Sequence, residues 1–146
     1  MKIINKRAFH DYHLLEKLEV GVKLTGPEVK SIKSGRMILT GAFIKIIGSE
    51  AYLVNAQIPL YPYTRPESYN PGRTRKLLLH KKEIVALKGK TEGTSLTIVP
   101  LKCYTTHGLV KLEIGIGKGK KQYEKREELK RKTVEREIEQ AIRGKI

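Results

Sequence analysis

The residues of this chain that could do chemistry are overwhelmingly cationic. Residues 118 to 132 read Lys-Gly-Lys-Lys-Gln-Tyr-Glu-Lys-Arg-Glu-Glu-Leu-Lys-Arg-Lys, with almost nothing to bury, and residues 73 to 90 hold seven Lys and Arg against one acid, Glu83. Ammonium and guanidinium groups at this density suit phosphate. Arg offers its oxygens a planar fork and Lys a point charge, while Leu77, Leu78 and Leu79 can pack inward or lie beneath an unstacked base. A merely solvated face would be served by neutral polar residues without the self-repulsion, so this block points to a polyanion.

Other reactive groups are sparse. His10-Asp11-Tyr12-His13 invites a metal or acid–base role, but on a strand positions 10 and 13 face opposite sides and no second carboxylate–histidine cluster completes a site. Glu28 closes a Thr25-x-x-Glu capping pattern, a structural use that accounts for it without catalysis. Glu19 is more informative, because a carboxylate on a basic strand accepts hydrogen bonds from base amino groups, which phosphates cannot donate. An exposed charge balancing Lys17 or Lys23 explains it equally well. The single cysteine, Cys103, excludes an internal disulfide, and its apolar neighbours make it a small buried hydrophobe. There is no phosphate-binding glycine loop, Walker motif or Ser-His-Asp arrangement, and the residues suggest no metal and no cofactor.

The whole composition agrees. Thirty Lys and Arg against fifteen Asp and Glu give a formal net charge of +15 over 146 residues, a field that concentrates polyanions, nucleic acid first among them. A membrane is the weaker partner, since no apolar run is long enough to span one and there is no Trp anchor. Met-Lys-Ile-Ile-Asn-Lys-Arg turns polar too soon for the core of a signal peptide, which predicts a cytoplasmic protein.

The elements that must position these groups are mainly strands. Period-two alternation marks 19–24, 42–47, 51–57, 95–104 and 109–116, with Gly48-Ser49 and His107-Gly108 as hairpin turns and Pro100 demanding an edge or a bulge. Short helices are expected from the Thr25 cap to Gly35 and over 80–88, where Gly89 should stop the second. Residues 59–72, with Pro59, Pro62, Pro66, Pro71, Tyr61, Tyr63 and Tyr69, form a long loop. Gly115, Gly117 and Gly119 have the composition of a hinge. The expected layout is therefore a small antiparallel β-barrel over 1–117 and a basic tail over 118–146, disordered or helical. The tail's apolar stripe of Leu129, Val134, Ile138 and Ile142 is too narrow for a stable lone helix.

Four blocks together make a family resemblance: Asn5-Lys-Arg-Ala-Phe-His-Asp-Tyr12, Leu24-Thr-Gly-Pro-Glu-Val-Lys-Ser31, Arg73-Thr-Arg-Lys-Leu-Leu-Leu-His80 and Gly119-Lys-Lys-Gln-Tyr-Glu-Lys-Arg126. In this order and over essentially the whole chain, they resemble the SmpB family of SsrA-binding proteins. The resemblance implies a barrel related to the oligonucleotide-binding (OB) fold and no enzymatic activity. It implies binding to the tRNA-like domain of tmRNA near its elbow, in place of a missing anticodon arm, and delivery of that RNA to stalled ribosomes for trans-translation and peptide tagging. The shared RNA would bring elongation factor Tu and alanyl-tRNA synthetase within reach as indirect partners.

Carried over by position, the family's RNA contacts fall on Asn5, Glu19, Leu78 and His80, with Lys6, Arg7, Lys30, Arg73, Arg75, Lys76 and Lys111 as the accompanying basic contacts. The tail residues Lys118, Lys120, Lys121, Tyr123, Lys125 and Arg126, extended by Lys130 and Arg131, would meet the ribosomal decoding centre and the vacant mRNA channel. Some relatives have His at Tyr123, which keeps stacking but loses an imidazole proton; Glu124 is often Asp, and Pro27 stands at a variable position. The competing readings are an RNA-processing nuclease using His10, His80 or Glu28, and a ribosomal structural protein.

Overall fold

A computed structural model of the chain describes residues 2–62 and 69–121, together with the single positions 126, 133 and 136. The elements follow one another as β1 (Lys2–Ile4), α1 (Lys6–Asp11), β2 (Tyr12–Val22), α2 (Gly26–Lys33), β3 (Phe43–Ile47), β4 (Glu50–Val54), β5 (Arg75–Leu78), α3 (Lys81–Thr91), β6 (Leu96–Thr106) and β7 (Leu109–Gly119). The strands form one antiparallel sheet in the order β1-β6-β3-β4-β5-β2-β7, and a further β6–β7 pairing closes β2 to β7 into a ring, with β1 added to β6. This is the OB-like barrel that the alternation and the resemblance predict.

Alternation explains the core. Leu112, Ile114 and Ile116 of β7 point inward beside Ile98, Cys103, Leu53, Leu77 and Ile32, whereas Lys111 and Glu113 stay on the outer face. A fully buried Leu or Ile contributes roughly 1.5–3 kcal/mol. Burial pushes the Cys103 thiol up to about 12, as befits a small hydrophobe rather than a nucleophile. Both hairpin turns are found: Gly48 takes φ +61, and His107 and Gly108 take φ +51 and +78, left-handed at two consecutive positions as a tight two-residue turn requires. Pro100 sits at a bulge, where the β6–β7 register shifts between Pro100 and Lys102.

Several expectations are corrected. The glycine triplet is no hinge, because β7 runs through it to Gly119. A Cβ on Gly115 would come within 2.8 Å of Leu101 Cδ1, and one on Gly117 within 3.0 Å of the His13 carbonyl oxygen, so these glycines admit close packing against β6 and β2. Gly89 does not stop α3, which continues to Thr91; the left-handed residue after the helix is Gly93, φ +70. His10 and Asp11 end a helix rather than occupy a strand, and the His10 ring bonds Asp11 Oδ1 at 2.8 Å. Strands β1 and β5 and helix α1 had no counterpart in the alternation. Each is short, and β5 lies inside the cationic block, where Arg75 interrupts the apolar signal.

Candidate nucleic-acid interface

Strands β2, β5 and β7 and the start of α3 build a groove of about 530 Å³ on the outside of the barrel. Its lining includes Glu19, Lys76, Leu78, His80, Lys81 and Lys111. Register explains the meeting: Gly21 of β2 pairs with Leu78 of β5 on one side and with Lys111 of β7 on the other. Gly21 has no side chain, and Leu78 fills the vacated space; a Cβ there would stand 3.3 Å from Leu78 Cβ. Leu78 remains 54% exposed, an apolar platform flanked by cations. His80 is the exposed N-cap of α3, in a capping box in which its backbone N–H donates to Glu83 Oε1 at 2.9 Å. Lys76 pairs with Glu50 at 3.0 Å, both exposed, a surface contact that phosphate can displace at little cost.

Not every candidate residue reaches this groove. Arg75 is 0% exposed: Nε donates to Glu28 Oε2 at 2.7 Å, and its terminal nitrogens donate to the Ala56 and Pro71 carbonyls at 2.8 and 2.9 Å. A guanidinium committed in this way cannot also grip RNA, and Arg75 is corrected from a surface contact to a structural one. Arg73 donates to the other oxygen of Glu28 at 2.6 Å but remains partly exposed. Burial alone would raise the Glu28 pKa; hydrogen bonds from Arg73, the Thr25 N–H and Arg75 outweigh it and bring the group from 4.5 to about 2. Glu28 is thus both the capping acid of α2 and the anchor of β5, at 1% exposure. That placement also removes it from any nuclease site.

Asn5 is likewise internal. Its amide donates to the carbonyls of Leu39 at 3.2 Å and Pro100 at 2.8 Å, and its side-chain oxygen caps α1. Its role is to fasten α1 to the barrel, which corrects its assignment as an RNA contact. Lys6, Arg7 and Lys30 are exposed but lie on α1 and α2, away from the lining of the groove, and Arg7 bonds Asp11 at 3.3 Å. Among the described residues no group of His, Cys, Asp and Glu could hold a metal ion, and no helix is long and apolar enough to cross a membrane.

Sequence reasoning missed Tyr104. Its hydroxyl donates to Glu19 Oε2 from β6, two strands away. Burial, then the hydrogen bond and charge of Glu19, push this phenol up to about 12. Only the register of β6 on β7 could have indicated the contact, since 85 residues separate the pair. In the basic tail, Lys118 belongs to β7 and faces His13, and the Lys120 N–H donates to the Asp11 carbonyl at 2.8 Å. Lys121 and Arg126 are exposed, whereas Tyr123, Lys125, Lys130 and Arg131, like Tyr63 and Pro66 of the proline-rich loop, lie outside the described residues.

Comparison with known proteins places the chain. The family model described as SmpB protein matches residues 2–144. The SsrA-binding protein of a Sulfurihydrogenibium species is 51% identical over 97% of this chain and 93% of its own length. That of Carboxydothermus hydrogenoformans is 48% identical over 97% and 95%. A chain of a solved structure described as "tmRNA-SmpB: a journey to the center of the bacterial ribosome" superimposes with a TM-score of 0.70 at 43% identity, covering 83% of this chain and 85% of that one.

Proposed function

The chain belongs to the SmpB protein family, and from that membership and the geometry of the groove we propose that it binds the tRNA-like domain of tmRNA and delivers the RNA to stalled ribosomes for trans-translation and peptide tagging. The observation that carries the reading is the convergence of Glu19, Leu78, His80 and Lys111 in one groove on adjoining elements of the barrel. These are complementary tools for an RNA loop with splayed bases. Leu78 supplies an apolar platform, Glu19 accepts from base N–H groups, His80 offers a ring for stacking or a hydrogen bond, and Lys76, Lys81 and Lys111 neutralise phosphates.

The role is binding. Catalysis is not required for it, and the candidate catalytic groups are spread over different elements, with Glu28 enclosed by Arg73 and Arg75. The working compartment is the cytoplasm, where ribosomes stall. Elongation factor Tu and alanyl-tRNA synthetase are reached through the same RNA. The head, from β1 to the end of β7, holds the RNA, and the residues beyond it, the basic Lys120, Lys121, Lys125, Arg126, Lys130 and Arg131 together with the aromatic Tyr123, act in the decoding centre and mRNA channel. Their charge suits ribosomal RNA. Incubating purified protein with labelled tRNA-like domain tests this: the RNA should shift to a complex and stay intact, and cleavage of the RNA or failure to shift it would overturn the reading.

A further inference from the structure

The groove does not end at β7. Residues directly opposite on neighbouring antiparallel strands share a face, so the register defines lateral rows of side chains. One row runs Leu78, Gly21, Lys111, Tyr104, Lys2 across β5, β2, β7, β6 and β1. The row beside it runs Glu19, Glu113, Lys102, Ile4 across β2, β7, β6 and β1. At about 4.8 Å per strand, the first row is about 19 Å long, the reach of a few nucleotides. Both rows face outward, since Lys2, Leu78 and Ile4 are exposed and Lys102, Lys111 and Tyr104 partly so, while the intervening Cys103 and Leu112 are buried.

Resting on the reading of the groove as an RNA site, we propose that the RNA-contact surface continues along these rows onto β6 and β1, with Tyr104 as the residue that positions Glu19 and Lys2 and Lys102 as phosphate contacts. Glu19 stands opposite Glu113, and like charges so placed repel. Without a third group the Glu19 carboxylate would swing outward. The Tyr104 hydroxyl holds Oε2 and leaves Oε1 to accept from a base. A neutral phenol can do this without cancelling the charge that attracts base amino groups, as a lysine would. Tyr104 also sets an aromatic ring between Lys111 and Lys2 in the row, a position suited to stacking an unpaired base. Lys102, in the second row, also lies over an aromatic ring: its ammonium group is 5.8 Å from the Phe9 ring centre, which Lys17 approaches at 5.5 Å.

Titrating the full-length protein against the labelled tRNA-like domain at several salt concentrations tests the proposal. Tyr104→Phe should weaken binding by about three- to tenfold, the scale of one typical net hydrogen bond, since the phenol acts on the RNA only through Glu19. The same change made in a Glu19→Ala background should have almost no further effect, a non-additivity that a general loss of fold would not produce. Replacing Lys2 and Lys102 together by Ala should lower the slope of log affinity against log salt by about two. An equal Tyr104→Phe loss with and without Glu19, or an unchanged slope, overturns the extension. If Leu78→Ala still weakens binding in that case, only the extension fails; if Leu78→Ala is also silent, the reading of the groove fails with it. Melting curves for each variant verify that the barrel is intact.

Discussion

At the scale of single residues, chemistry and accessibility part company within one short cationic block. Arg73, Arg75 and Lys76 look equivalent in sequence, yet Arg75 is sealed against Glu28, Arg73 shares that carboxylate from a partly exposed position, and Lys76 lines the groove. Sequence reasoning assigned Glu28 its capping role correctly but could not show that two guanidiniums 45 and 47 residues away close on the same carboxylate. Glu19→Ala, Leu78→Ala and His80→Ala should each weaken binding to the tRNA-like domain by roughly 1–3 kcal/mol while the melting temperature holds. Arg75→Ala should do the reverse, costing about 3–5 kcal/mol of stability because it strips a partner from a buried charge; denaturant unfolding reads this directly. The depressed pKa of Glu28 also gives a pH signature. Its ionised form is favoured by folding, so its contribution is complete above the ordinary carboxylate value of 4.5 and is lost as pH falls towards about 2. Acid unfolding of Glu28→Gln should lack that component, and a profile identical to the parent's would refute the assignment.

At the scale of elements, the hairpin turns, the α2 cap and the Pro100 bulge were legible because each depends on local backbone demands: a left-handed turn residue, a capping acid, a missing N–H. The glycines of β7 were misread for a corresponding reason. A strand glycine required by a neighbouring strand looks in sequence like a loop glycine, and only the pairing of Gly115 with Lys17 and of Gly117 with Leu14 distinguishes them. Gly117→Ala would press a methyl against the β2 backbone and should cost roughly 1–3 kcal/mol. Gly119, with nothing within 4 Å of its missing Cβ, should tolerate the same change. Equal melting temperatures for the two variants would restore the hinge. The groove shows the same limit: its strand β5 was recognised by charge and not as a strand, and the Tyr104 contact requires knowledge of the register.

At the scale of the whole molecule, the net charge of +15 and the order of the four sequence blocks carried most of the functional reading, while the barrel supplies the surface on which a fraction of that charge becomes a site. Since β7 ends at Gly119 and the Lys120 N–H bonds Asp11, a head that keeps residues 1–121 retains its last strand. Removing 122–146 should leave binding of the tRNA-like domain nearly unchanged and abolish peptide tagging, as measured by gel shift and by a tagging assay on a message without a stop codon. Loss of RNA binding by this truncated head would place part of the interface in the tail. The identity of the partner RNA is read most directly by sequencing the RNA crosslinked to the tagged full-length protein in cells. tmRNA should dominate the recovered RNA, with crosslinks concentrated in its tRNA-like domain. A broad spread over messenger RNA, or ribosomal RNA recovered in constant proportion whether or not ribosomes stall, would contradict it.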